Sequence, residues 1–312
     1  MKNINNINNI CEYYYPKNNR EVFEDFTNLH EPFAVNSSEK LEKKWDKNAD
    51  HWESERKNNR KSDYRMKNAI NLLTEKGILN ESTSLCDIGC GPGMFVAEFG
   101  KVCKEVVGLD ISSKMVFYGM EHIKREGLTN VQLKTCDFEK MDLKKEGYYK
   151  AFDVVFASFT PAIHDLNSLI KAMEMSRGYC CLSIHIDDNY PLRSRIMKEV
   201  FGRSLKPRWT GKSFYTIFNE LFLMGYNPET SYNTRTQDNS IVPDGKFVEH
   251  IMEHMLDENE QTVENREQIL NWLKMNCDED GKIIDNSSYT YGTIIWDTRN
   301  KVIRNEYYEY ED

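Results

Sequence analysis

The chain has 312 residues, of which 29% are charged and 39% hydrophobic, and its formal net charge is -9. That length suits one α/β core with a substantial appendage, and no apolar run approaches the roughly 18 residues of a membrane-spanning helix, so a soluble protein with no membrane partner is expected. The acidic balance argues against broad electrostatic binding to nucleic acid, because such affinity comes mainly from neutralising phosphates with Lys and Arg.

The opening MKNINNINNI lacks the apolar stretch and small-residue cleavage site of a secretory signal and reads as low-complexity Asn/Ile sequence, so a cytoplasmic chain with a loosely attached segment over 1–36 is expected. Across 38–59, Leu41, Trp45, Ala49 and Trp52 recur every three or four positions, which marks one apolar stripe on a very polar helix. A second helix, 64–76, is closed by Gly77. The two make an N-terminal helical lid over 37–80.

Short apolar runs then alternate with helical stretches. SLCDIG, EVVGLDI, VQLKTC, FDVVFAS and YCCLSIH read as strands, with helices over 94–101, 113–126 and 165–175 between them. Such alternation predicts an α/β core over 81–188 built on a doubly wound, mostly parallel sheet, with ligands at the C-terminal ends of its strands. After Asp188 helices are expected at 192–201, 212–224, 245–256 and 262–275, interrupted by strands at 226–234 and 289–297 that complete a seven-stranded sheet. Residues 189–288 are thus expected to be a helical cap enclosing one core strand, and 289–312 the last strand with the acidic tail NEYYEYED. Eight cysteines include no C-x-x-C pair, and Cys86, Cys136, Cys180 and Cys181 sit in apolar strand-like runs, as buried reduced thiols do.

The densest chemistry is LCDIGCGPGMF, residues 85–95. Gly89, Gly91 and Gly93 permit positive φ and let a ligand approach the backbone of a strand-to-helix turn. A phosphate-binding loop would need a Lys-Ser/Thr pair after the last glycine, where Met94 and Phe95 stand. A dinucleotide fingerprint matches Gly89 and Gly91 but needs a small residue at Met94. A metal or redox site on Cys86 and Cys90 has the wrong spacing. The order Asp87, Gly89, Gly91, Gly93 resembles the first motif of class I S-adenosylmethionine-dependent methyltransferases. The resemblance extends over about 82–185. It implies a Rossmann-like methyltransferase fold with S-adenosylmethionine as cofactor and S-adenosylhomocysteine as product.

What the resemblance assigns follows in chain order. Asp87 would serve the ligand's ammonium group, directly or through water; capping its own turn is the alternative. Asp110, nineteen positions past Gly91 and followed by Ile111, would accept from the ribose hydroxyls. Asp137 would meet the adenine amino group, with Phe138 against the ring. For both aspartates an Asx cap is the structural alternative. Ser158, Phe159 and Thr160 would form the loop that faces the methyl donor, and Trp45 and Trp52 would close over it, unless they simply pack a helix on the core. The sulfonium donor carries no phosphate, and no Lys or Arg occurs from Leu85 to Gly100.

Methyl transfer is an in-line displacement that requires orientation and a dry site, and a base only where the acceptor must lose a proton. His164 and His185, at the ends of the fourth and fifth strands, are the candidate bases or acceptor-pocket residues, with a packed or surface histidine as the alternative for each. HIMEH, with His250, Glu253 and His254, matches H-x-x-E-H, but no peptidase surrounds it; the stripe Phe247, Ile251, Met255 marks an amphipathic helix and no metal is expected. The run RSRIMKEVFGRSLKPR carries Arg193, Arg195, Lys198, Arg203, Lys206 and Arg208 against Glu199, either a solvated helix face or an anion contact. Tyr190, Trp209, Phe214, Tyr215 and Phe218 stand beside it and would suit an aromatic acceptor. The expected function is methyl transfer to a small-molecule acceptor. A tRNA or rRNA methyltransferase and a non-catalytic S-adenosylmethionine- or S-adenosylhomocysteine-binding protein are the alternatives.

Overall fold

The computed structural model describes residues 38–58, 63–206 and 211–302. The segment 1–36, the tail NEYYEYED, Arg208 and Trp209 lie outside them. Two helices come first, α1 (Ser38–Asn58) and α2 (Asp63–Glu75), and Gly77, at φ 70°, follows the second. The alternating region is β1 (Ser84–Ile88), α3 (Met94–Gly100), β2 (Glu105–Asp110), α4 (Ser113–Arg125), β3 (Val131–Thr135), β4 (Phe152–Ser158), α5 (Leu166–Met175) and β5 (Ser176–Asn189). Then come α6 (Pro191–Phe201), α7 (Lys212–Leu223), β6 (Glu229–Ile241), α8 (Gly245–Met255), α9 (Val263–Met275) and β7 (Ile283–Asp297).

The strands form a seven-stranded sheet in the order β3-β2-β1-β4-β5-β7-β6. β1 pairs in parallel with β2 and β4, β2 with β3, and β4 with β5. The order reverses between β2 and β4, on either side of β1, which makes the carboxyl end of β1 a topological switch point where ligands bind in open α/β sheets. β1 is buried at all five of its positions, as a central parallel strand covered on both faces must be.

The chain divides into two compact units, one of 1–184, 212–231 and 293–312, the other of 185–211 and 232–292. The first is organised around Leu73, Leu85, Val96, Phe99, Val154, Phe156 and Ile295, all buried. Phe156 has its ring centroid 5.0 Å from those of both Phe95 and Phe99, an arrangement that locks α3 onto β4. The second unit has its own core of Leu192, Ile196, Val248, Ile251, Ile269 and Leu273.

Three expectations need correction. The YCCLSIH strand is part of a 14-residue element, and β6 and β7 run for 13 and 15 residues, past the ends read from their apolar letters. Their polar extensions, such as TQDNS and DNSS, carry no period-2 pattern and are held extended by ladder partners, not by their own preference. The strand expected from Tyr226 begins instead at Glu229. And α7, expected in the cap, belongs to the first unit, where Phe214, Ile217 and Leu221 are buried.

Phe156 is fully buried, so Phe156→Ala should lower the unfolding free energy by about 3–5 kcal/mol through lost burial and the cavity left behind. Urea unfolding measures it; a loss under about 1 kcal/mol would mean that the aromatic triad closes over the gap.

Candidate active site

The glycine turn leaves β1 with Gly89 at φ 75°, Gly91 at 53° and Gly93 at 81°. Gly89 donates its N–H to the Leu109 carbonyl (2.7 Å), as does Cys90 (3.0 Å), so the turn is sewn to the end of β2. A Cβ at Gly89 would stand 2.1 Å from Thr160 Oγ1, so the loop after β4 approaches as closely as it does because no side chain is there. Gly93 caps α3 in the left-handed region without a side-chain hydrogen bond, and a Cβ on it would meet the Gly119 Cα of α4 at 3.1 Å.

Asp110 ends β2. Its Oδ2 accepts the Gly91 N–H (2.8 Å) and its Oδ1 the Ser112 N–H (2.9 Å). Burial pushes its carboxyl up, against the pull of these backbone donors. A carboxylate offers about four acceptor sites, so this one can hold its turn and still receive two hydroxyls. The structural and ligand roles are compatible.

Asp87 is buried to 2% exposure inside β1. Burial, and then the charge of Asp110, lift its carboxyl from 3.8 to about 8. Asp137 differs. Burial raises it, but hydrogen bonds from Ser38 and Lys140 outweigh that and leave it below the usual value. Lys140 Nζ lies 2.9 Å from Asp137 Oδ2. Phe138 is buried beside it at 5% exposure.

One cavity brings most of these groups together. It is lined by Gly89, Gly91, Asp110, Ile111, Asp137, Phe138, Ser158, Phe159, Thr160 and His164, and by Trp45 and Trp52 of α1. Asp87 and Gly93 are not among the lining residues. His185 belongs to the second unit, where its ring meets Tyr289 edge-on (5.6 Å) and its Nδ1 is 3.9 Å from Asp188. Phe159 has φ 53°, uncommon for an aromatic residue and the kind of local strain that clusters at functional loops. Sequence reading missed Arg65, Met115 and Cys136, which also line the cavity. Arg65 lies 4.5 Å over the Phe159 ring. A lone cation on a polar helix gives no periodic signal, so only packing could reveal it.

α1 is held to the start of α4 by polar groups. Asp46 accepts from Ser112 Oγ (2.5 Å) and the Lys114 N–H (3.3 Å), at the N-terminus of α4 where a carboxylate is favoured. Asp50 accepts from Lys114 Nζ (2.8 Å) and the Tyr118 hydroxyl. Ser112 in turn caps α4 by accepting from the Met115 N–H (3.1 Å).

A doubly wound sheet with a close-approach glycine turn and an acidic residue at the end of each of the next two strands is built to hold a nucleoside-bearing ligand without phosphates. Residues 79–219 match the model of a methyltransferase domain. Human EEF1A lysine methyltransferase 2 is 28% identical over 96 residues, 29% of this chain, and the chain spans 41% of that relative's length. YcgJ of Bacillus subtilis, 12% identical, superposes with a TM-score of 0.46 over 73% of this chain and 97% of its own. A putative methyltransferase of Bacillus halodurans gives 15%, 0.46, 73% and 97%. Residues 79–219, a little under half of the chain, are thus similar to a methyltransferase domain. The residues present fit S-adenosylmethionine: the space beside Gly91 is open where a Cβ would stand, and the free acceptor capacity of Asp110 matches a ribose diol.

Asp87 provides a test by pH. The folded carboxyl keeps its proton to about pH 8, whereas the unfolded one loses it near 4. Its contribution to stability is complete below pH 4 and is lost as pH rises through about 8. Ligand-free protein should therefore lose stability between pH 5 and 8 relative to Asp87→Asn, read by urea unfolding. Parallel profiles would show that Asp87 is ionised when folded.

Proposed function

We propose that the protein transfers the methyl group of S-adenosylmethionine to a small-molecule acceptor in the cytoplasm, releasing S-adenosylhomocysteine. One observation carries this reading: a single cavity is lined both by the acidic and glycine-turn residues suited to the donor and by Phe159, Thr160, His164 and two lid indoles. S-adenosylmethionine supplies an electrophilic methyl carbon on a sulfonium that leaves readily. Asp110 receives the ribose hydroxyls, Asp137 the adenine amino group with Phe138 against the ring, and the turn from Gly89 the methionine part. Trp45 and Trp52 exclude water, which strengthens each polar contact within. His164 is the base for an acceptor that must shed a proton; His185, which does not line this cavity, is not assigned that role.

The run 193–208 weighs against a nucleic-acid acceptor, because three of its cations, Arg193, Arg195 and Arg203, have partners inside the second unit. Arg193 is 8% exposed and stacks over Tyr190 at 4.1 Å. Arg195 covers the Trp272 ring at 5.1 Å and donates to Asn276 (3.0 Å). Arg203 donates to both oxygens of Glu260 (2.7 and 2.8 Å).

The test has two parts. Calorimetry should register S-adenosylmethionine and S-adenosylhomocysteine, with binding weakened about tenfold to a hundredfold in Asp110→Ala, as loss of a charged hydrogen-bond partner costs; no heat from either ligand at millimolar concentration would sink the reading. Methyl-labelled donor added with cell extract should then place label in the small-metabolite fraction. Label in RNA with a steep salt dependence would favour the nucleic-acid alternative, and label in protein the acceptor class that the human relative's name states. Binding without turnover would mark a non-catalytic sensor.

A further inference from the structure

The second unit holds side chains that methyl transfer does not use. α8 buries Val248, Ile251 and Met252 and half-covers Phe247 and Met255. Its opposite face carries His250, Glu253 and His254, all exposed. Positions i, i+3 and i+4 lie together on a helix. Here the two imidazole centroids are 4.6 Å apart, and one ligand atom from each of the three residues falls within 4.8 Å of the others. The amphipathic stripe and the histidine pair thus occupy different faces of one helix and do not compete as readings.

The tautomer suits coordination. His254 Nδ1 is 2.8 Å from the His250 carbonyl oxygen. A carbonyl only accepts, so Nδ1 carries the proton and Nε2 is the nitrogen that would ligate, the arrangement by which metal-ligating histidines are held through their second nitrogen.

We propose that His250, Glu253 and His254 bind one divalent transition-metal ion of the zinc type. Two imidazoles and one carboxylate suit Zn2+ and its neighbours, not Ca2+ or Mg2+, which take sets of oxygen ligands. Three protein ligands leave a position for water or for a group from a partner. The ion bridges successive turns of α8 and, by binding only the folded helix, stabilises the second unit. The site is independent of the methyl-transfer reading and stands or falls alone.

The experiment titrates the full chain, stripped with a chelator, with zinc chloride and separately with cobalt chloride. Expected are one zinc ion per chain, a rise in melting temperature, and affinity reduced about tenfold or more in both His254→Ala and Glu253→Gln. Both variants lie on an exposed face, and unchanged circular dichroism would show that they fold. The cobalt spectrum should show d–d bands of nitrogen and oxygen ligation without thiolate charge transfer. No binding at millimolar zinc, equal binding by His254→Ala, or a thiolate band, which would put the ion on cysteines, would each overturn the proposal.

Discussion

The carboxylate of Asp110 is the group on which the first unit's architecture turns. One oxygen takes the Gly91 N–H and the other the Ser112 N–H, so the glycine turn after β1 and the start of α4 are fixed to the same point at the end of β2. Ser112 passes the constraint on, capping α4 through the Met115 N–H and donating its hydroxyl to Asp46 of the lid. Turn, helix and lid are registered to one side chain. Buried backbone donors need partners, and here a single acid satisfies two of them without exhausting its capacity.

The cavity follows from close approach as much as from attraction. Thr160 can lie against the turn only because Gly89 has no Cβ, and α4 can cross the turn because glycine faces glycine at Gly93 and Gly119. Around this small-residue seam the walls are apolar: Phe95, Phe138 and Phe159 with Trp45 and Trp52. The charge within is negative, from Asp110 and Asp137, and the Arg65 guanidinium lies over the Phe159 ring. A cationic, phosphate-free ligand suits that balance, and a dinucleotide does not. The second unit has a different logic: its helices bury one face on a shared core, its cations are spent on Tyr190, Trp272 and Glu260, and its open face gathers the two histidines of α8.

What the sequence by itself determined is the part written in local pattern. The five strands of the alternating region and the helices between them were legible because a parallel strand buried on both faces must be an apolar run, and Gly77 marks a helix stop. The motif order from Asp87 through Asp110 to Asp137 was equally legible, since each residue lies within two positions of a strand end. Only the tertiary structure decided the rest. Strands β5, β6 and β7 run beyond their apolar letters because ladder partners, not propensity, hold polar residues extended. Arg65 and Cys136 reach the cavity through packing that no periodicity encodes. The run 193–208 looks like a binding patch as text, but Arg203 is answered by Glu260, Arg195 by the Trp272 ring and Arg193 by the Tyr190 ring. Local sequence sets what each segment can form, and only the meeting of segments sets which charges remain for a ligand.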